Sequence, residues 1–360
     1  MKAAVLRSIP GELTIEDVQI DNPGPREVLV RTVAAGVCHS DLHYLTGAYD
    51  TLIPTVMGHE SAGVVEAVGE AVSYVSPGDH VISSLSVFCG HCEYCLSGRM
   101  ALCPHEDTMR PAGAPPRLSQ DGETVHQYAD VSSFAEQLLV HEHALVKVNP
   151  EMPLDRAALV GCAVTTGLGA VFRTAAVAPG ETVAVIGCGG VGLSAIQGAR
   201  IAGAGRIIAI DVVASKLELA KFMGATDAID ASDVDPVEIV LELTSGGVHH
   251  AFDAIGRATT PSQAFGMLRA GGTATIIGMI ALGETVELPG VDFLAEKRIQ
   301  GSCMGSNQFR IDAPRFVDFY FDGRLDLDSL ITERIELDRV GEAMEALKKG
   351  EAARSVIMFD

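Results

Sequence analysis

Residues 182–192 read TVAVIGCGGVG, and they decide the fold. A short run of β-branched and apolar residues ends in Gly187, and Gly187–Gly192 fits G-x-G-x-x-G. The pattern is weak alone, because glycine is common here, but it follows a predicted strand and opens a predicted helix. In that context Gly187 permits the tight turn, Gly189 lets the backbone approach a pyrophosphate, and Gly192 allows close helix-to-strand packing. Gly190 and Val191 begin the helix whose amides would face the phosphates. The next strand, RIIAID, ends in Asp211. Its carboxylate can accept from both adenosine ribose hydroxyls and would repel a 2′-phosphate. Val212 and Val213 offer no arginine to hold one, so NAD is expected over NADP. Lys216 is a further candidate for the ribose; a helix-capping Asp211 and a plain surface lysine are the competing readings.

Outward from this stretch, strands and helices alternate. Helices are expected from Val191 to about Ala202, from Ser215 to Met223, near 236–244 and near 260–269, with strands at HHAFDAIG and GTATIIGM between and after them. That alternation means a parallel sheet with helices on both faces, a doubly wound Rossmann domain. Before it, PLDRAALVGCAVTTGLGAVFRTA, residues 153–175, reads as helical. Residues 1–148 read instead as antiparallel β: KAAVLR, LTIEDVQI, EVLVRTVAAGV, then FAEQLLV and ALVKV, punctuated by Pro-Gly turns. Residues 104–130 are rich in proline, glycine and polar residues and read as a surface loop. The end of the chain, with a helix near Val340–Lys349 and a strand ARSVIMF, returns to the β lobe. The expected organisation is 1–163, 164–302 and 303–360, with the α/β domain inserted into a mainly β one.

The chain has 360 residues and a formal net charge of -21, which disfavours polyanions such as nucleic acid. No signal peptide and no apolar run long enough for a membrane span is evident, so a cytoplasmic protein is expected. Eight cysteines without a secretory signal point to metal rather than disulfides. Four of them, Cys89, Cys92, Cys95 and Cys103, lie in VFCGHCEYCLSGRMALC. Four thiolates this close suit one tetrahedral zinc with no open position, against the plainer reading of core cysteines or a disulfide. Such a site braces a lobe and does no chemistry.

A nicotinamide moves hydride but cannot polarise an alcohol; a second zinc with an open position would. Cys38 sits in the polar stretch GVCHSDLH, and His59 in a Gly-His-Glu turn. Spacing does not choose a third ligand: Cys188 lies inside the phosphate loop, and Cys162 and Cys303 stay open.

Taken together and in order, GVCHSDLH, VMGHESAGVVEAVG, FCGHCEYCLSGRMALC, GCAVTTG and VIGCGGVG resemble the zinc-dependent, medium-chain alcohol dehydrogenases over nearly the whole chain. The resemblance implies a GroES-like catalytic domain around the Rossmann domain, two zinc ions per chain and NAD. It implies a catalytic zinc on Cys38, His59 and Cys162, with Glu60 as the carboxylate that approaches the metal and Asp41 as the hydrogen-bond partner of the histidine. It further implies a proton relay from Ser40, through the nicotinamide ribose, to His43, with His39 and Arg354 at the pyrophosphate and Thr166 and Met279 at the cofactor. With histidine at 39, the phosphate grip should weaken as pH rises. Leu85, Phe134 and Ala135 are expected along an apolar substrate channel. The implied reaction interconverts a primary alcohol, aliphatic or aromatic, and its aldehyde by hydride transfer from a zinc-bound alkoxide. The competing readings are a glutathione-dependent formaldehyde dehydrogenase, a polyol or threonine dehydrogenase, and a catalytically silent zinc-braced binding protein. A homodimer is expected, with a homotetramer as the alternative, meeting near residues 279–303.

Overall fold

The computed structural model describes residues 1–104, 106–350 and 354–359. The chain forms two compact units: Met1–Cys162 with Gln308–Gly323 and Leu327–Asp360, and Ala163–Asn307 with Arg324–Asp326.

The second unit is built on six parallel strands. Their spatial order is Asp227–Asp230, Arg206–Asp211, Thr182–Ile186, Val248–Asp253, Leu268–Ile276 and Arg298–Gly301. The first strand in sequence therefore sits centrally and the chain winds outward both ways, the doubly wound arrangement. Thr182–Ile186 is flanked on both sides, and its residues 183–186 are buried, which is why it reads as a continuous apolar run rather than an alternating one. Helices Gly190–Ala202, Ala214–Met223, Pro236–Thr244 and Thr260–Gly266 follow successive strands. The last is shorter than expected, because the strand Leu268–Ile276 begins inside the span read as helix. This unit runs on through Cys303 to Asn307, since Gly305 packs on Gly169: a Cβ on Gly169 would stand 2.5 Å from the Gly305 carbonyl oxygen.

The first unit holds two sheets. One has the order Leu13–Asp17, Lys2–Leu6, Thr55–Val56, Glu123–Gln127, Leu118–Gln120, Gln19–Ile20. In the other, Glu27–Gly36 is the long central strand, pairing with Ser61–Val68, Gln137–His141 and Ser355–Met358. The strand Ser355–Met358 comes from the far end of the sequence and pairs antiparallel with Glu27–Gly36.

Residues 104–130, read as a loop, carry two strands of the first sheet, Leu118–Gln120 and Glu123–Gln127. The segment is tied down from a distance. Arg110 and Arg117 both reach the carboxylate of Glu27, at 2.6 and 2.7 Å, and Arg110 also bonds Asp21 at 2.6 Å. Glu27 is 5 % exposed. Burial raises its carboxyl pKa, but the two guanidinium groups and the Gly24 amide outweigh that and hold it down at about 2.

Candidate active site and cysteine lobe

The cysteine lobe folds around its own sulfurs. Cys92 and Cys95 Sγ are 3.5 Å apart, Cys92 and Cys103 3.7 Å, and Cys89 and Cys95 3.9 Å. A tetrahedron with sulfur about 2.3 Å from a central zinc has edges of about 3.8 Å, so the four thiols fit the ion. The backbone supports their anionic forms: the amides of Cys89, Gly90 and Cys92 point at Cys103, Cys95 and Cys89 sulfurs at 3.3, 3.4 and 3.3 Å. At Cys89, burial raises the thiol pKa, but the amides of His91 and Cys92 and the neighbouring thiols bring it to about 6. Four thiol donors fill a tetrahedron and leave no position for a substrate.

The second cluster is assembled from three separated points. Cys38 precedes the helix His39–Leu45, whose Asp41 accepts the Cys38 amide at 3.2 Å. His59 lies just before the strand Ser61–Val68. Cys162 lies within Val160–Val164, where the helix begun at Leu154–Leu159 widens into a π turn. Such turns aim side chains that a regular helix would not. His59 Nε2 stands 3.3 Å from Cys162 Sγ, and donor atoms of Cys38, His59, Glu60 and Cys162 all lie within 4.8 Å of one another. A thiolate and an imidazole on one tetrahedral zinc are about 3.6 Å apart, so this donor set fits as well.

Electrostatics prepare these donors. Asp41 Oδ1 meets His59 Nδ1 at 3.1 Å, both residues being 0 % exposed. Asp41 thereby holds a proton on Nδ1, so that Nε2, which faces the thiols, is the nitrogen that would bind a metal on losing its own proton. Desolvation lowers the His59 pKa, yet Asp41 and then Cys38 raise it well above the ordinary value. The hydrogen bond from Cys162 pulls the Cys38 thiol well below its usual range, and the same bond, with burial, pushes Cys162 well above. Glu60 is 0 % exposed, and neither carboxylate oxygen has a hydrogen-bond partner among the described residues. Burial lifts its pKa to about 7 against the pull of Arg354, whose Nη2 is 3.5 Å from Oε2.

Arg354, expected at the pyrophosphate, is 3 % exposed; it donates to the Val37 carbonyl at 2.9 Å and faces Glu60. Ser40 Oγ lies 3.7 Å from Cys38 Sγ. His43 is half-buried, and burial, then the charge of His39, lowers its pKa; His39 is exposed. Phe134 and Ala135, expected along the substrate channel, are both 0 % exposed and enter different cores. Phe134 packs with Leu42, Met57 and Tyr128, and Ala135 with Val5, Val18 and Val56. Leu85 is half-buried.

The residue that sequence reasoning missed is Tyr128. It is 6 % exposed, and its ring centroid is 5.6 Å from that of His59. It sits just beyond the hidden strand Glu123–Gln127, in the segment taken for a loop; its sequence signal is an aromatic residue soon after the β-branched pair Thr124–Val125.

In the second unit, Gly187 has φ +94, and a Cβ on Gly192 would lie 1.7 Å from the Gly187 carbonyl oxygen, so only glycine fits there. Gly189 and Gly190 stand at the helix start, and a Cβ on Gly189 would meet nothing within 4 Å, leaving that approach open. Val191 is in the first turn of the same helix. Asp211 accepts the amides of Cys188, Val212 and Val213 at 2.7, 2.8 and 3.0 Å, so it also pins the glycine loop to the second strand. Lys216 is half-buried in the helix Ala214–Met223, Thr166 bonds Met304 Sδ at 3.4 Å, and the Met279 backbone packs on Gly256. The helix Leu154–Thr174 is long and apolar enough to cross a membrane, but 83 % of its apolar window is buried inside the protein, as in a core helix.

Residues 24–150 match the family model of the alcohol dehydrogenase GroES-like domain, and residues 190–320 that of the zinc-binding dehydrogenases. S-(hydroxymethyl)glutathione dehydrogenase of Haemophilus influenzae is 38 % identical, covering 99 % of this chain and 97 % of the relative. A probable S-(hydroxymethyl)glutathione dehydrogenase of Schizosaccharomyces pombe is 40 % identical over 99 % of this chain and 96 % of its own length. Among solved structures, benzyl alcohol dehydrogenase of Acinetobacter calcoaceticus superposes with TM-score 0.92 at 33 % identity, covering 100 % of this chain and 99 % of that one. An alcohol dehydrogenase zinc-binding domain protein of Burkholderia ambifaria gives 0.95 at 36 %, covering 100 % and 98 %. A closed four-thiol lobe, a buried three-ligand cluster and a glycine loop on a doubly wound sheet, matched along the whole chain, place this protein in the zinc-dependent medium-chain alcohol dehydrogenase family, as an NAD-dependent oxidoreductase with two zinc sites.

Proposed function

We propose that this enzyme interconverts a primary alcohol, aromatic or aliphatic, and its aldehyde. The first unit is the catalytic domain, and the second, with Gly187–Gly192, Asp211, Lys216, Thr166 and Met279, holds NAD. The observation that carries the reading is the buried set of Cys38, His59 and Cys162, gathered with the Glu60 carboxylate within 4.8 Å; with Glu60 held back toward Arg354, three ligands would leave the fourth position for the substrate oxygen. A zinc ion held by these residues would supply Lewis acidity that makes the substrate hydroxyl acidic, and NAD would be the hydride acceptor.

The chain's own groups do the rest. Cys38 and Cys162 supply two negative donors, and His59 supplies a neutral one fixed by Asp41. Ser40 Oγ would accept the proton of the substrate hydroxyl while passing its own on, through the nicotinamide ribose hydroxyl, to His43, which would release it to solvent. Glu60 is a buried carboxylate that faces Arg354 at 3.5 Å. Tyr128, whose ring leans on that of His59, gives the site an aromatic side that suits an apolar substrate.

The second reading, S-(hydroxymethyl)glutathione oxidation, is favoured by the names of the relatives at 38–40 % identity. A glutathione adduct brings two carboxylates that need cations. The arginines of the 104–130 segment, Arg110 and Arg117, are committed to Glu27 and Asp21. That observation sets the first reading ahead. Steady-state kinetics with NAD decide it: kcat/KM for benzyl alcohol should exceed that for formaldehyde plus glutathione at least about tenfold, and the reverse ranking would overturn the reading.

For the assembly, the edge strand Arg298–Gly301 and the exposed Leu282, Val291 and Leu294, at 68, 70 and 86 %, support a homodimer through this face. A homotetramer is the alternative, and light scattering separates them.

A further inference from the structure

Three aromatic side chains meet beside the three-donor cluster, and one joins the other two. Tyr44, in the last turn of the helix His39–Leu45, touches Tyr128 edge-on with centroids 4.8 Å apart and an interplanar angle of 68°. On its other side it meets Tyr49, at 5.7 Å and 35°. Tyr128 leans edge-on against His59 at 5.6 Å and 79°, and Tyr49 against His43 at 6.0 Å and 66°. Tyr44 therefore stands between the ring beside the metal-binding imidazole and the ring beside the proton-releasing one. It touches neither histidine itself among these ring contacts.

Tyr44 and Tyr128 each carry a phenol hydroxyl. Burial raises the pKa of both phenols, so both stay neutral through the working pH range. The helix that carries Tyr44 is fixed at its start by Cys38 and Asp41. Its inner face, Leu42 and Leu45, lies in the core with Phe134 and Met57. Tyr44 is thus a half-buried side chain on an anchored element, with no charge to offer and two ring neighbours to hold.

We propose that Tyr44 is a positioning residue for substrate selection: it holds the Tyr128 and Tyr49 rings at the spacing that admits a flat aromatic alcohol. This rests on the alcohol dehydrogenase reading above and deepens it. Edge-on and tilted ring contacts are directional, so an aliphatic side chain of similar bulk fills the space without fixing ring angles. Substrates that press on both rings should feel the change; short, flexible ones should not.

The test pairs Tyr44→Leu with Tyr44→Phe in the zinc-loaded enzyme, with zinc content and thermal midpoint as folding controls. The readouts are KM and kcat for benzyl alcohol and 1-butanol, and dissociation constants of the unreactive amides benzamide and butyramide by calorimetry. Tyr44→Leu should raise KM for benzyl alcohol and Kd for benzamide about tenfold, with kcat and both 1-butanol and butyramide constants within about twofold. Tyr44→Phe, which keeps the ring, should stay within about threefold of wild type throughout. Equal losses on aromatic and aliphatic ligands in Tyr44→Leu, or no loss, would overturn the inference while leaving the proposed reaction standing. Wild-type enzyme that neither oxidises benzyl alcohol nor binds benzamide would instead remove the reading beneath it.

Discussion

The cysteine lobe and the Cys38–His59–Cys162 cluster use the same chemistry in opposite ways. The lobe takes four ligands from one short stretch, Cys89 to Cys103, and its sulfurs are organised by amides a few residues away. The other cluster gathers a helix cap, a turn and a π-widened helix, and it needs two buried carboxylates, Asp41 and Glu60, and the buried cation Arg354 to balance it. A closed set can be folded locally because it only has to bind. A set with a missing ligand must be held from several sides, or a fourth protein group would collapse onto the ion. The difference between bracing and reacting is thus a difference in contact order as well as in ligand count.

Breaking each cluster should separate these roles. Cys38→Ser should cost the most, lowering kcat/KM by about 10⁴-fold or more while the thermal midpoint shifts by less than about 3 °C. A stopped assay and a melting curve on one preparation check it. Cys92→Ser should do the converse, lowering the thermal midpoint by roughly 5–15 °C, with kcat of the folded fraction within about threefold. Loss of turnover without loss of stability in Cys92→Ser would contradict the division.

A third site sharpens the contrast, because it braces without metal. Glu27→Gln should destabilise the first unit by roughly 3–5 kcal/mol, since Arg110 and Arg117 lose a buried anion. The sign with pH follows from its carboxyl pKa of about 2 in the fold, against an ordinary value of 4.5. The stabilisation is complete above about pH 4.5 and is lost as pH falls toward 2. Denaturant titrations between pH 5 and 3 should show that slope in the wild type and not in Glu27→Gln.

The smallest effect belongs to the proton path. His43 must be neutral to accept a proton, and burial, then His39, hold its pKa below 6.5. The rate should therefore fall on the acid side, below that value, and be flat above it. His43→Gln should lower kcat about tenfold and remove the acid limb; an unchanged profile would rule His43 out as the last acceptor.

How much of this was legible in the sequence follows the same division. The glycine loop, the strand–helix alternation around it and the cysteine lobe are local patterns, and local patterns survive in a linear string. Cys162 as third ligand was not readable from spacing, because a π turn brings it to His59 from 103 positions away; the family resemblance was needed. The segment 104–130 was misread because prolines and polar residues conceal strands whose partners, Gln19–Ile20 and Thr55–Val56, and whose anchor at Glu27 are all distant in sequence. Phe134 and Ala135 are neighbours in sequence that enter two different cores, and the string does not say which side faces substrate and which faces core. Tyr128 fell in the concealed segment and was passed over.

The zinc content of the wild type and of Cys162→Ser, measured by elemental analysis on purified protein, tests the two-cluster account most directly. It predicts two ions per chain in the wild type and one in the variant, which stays folded and loses activity. A wild type that holds one ion per chain, or a Cys162→Ser variant that keeps both ions and full turnover, would contradict it.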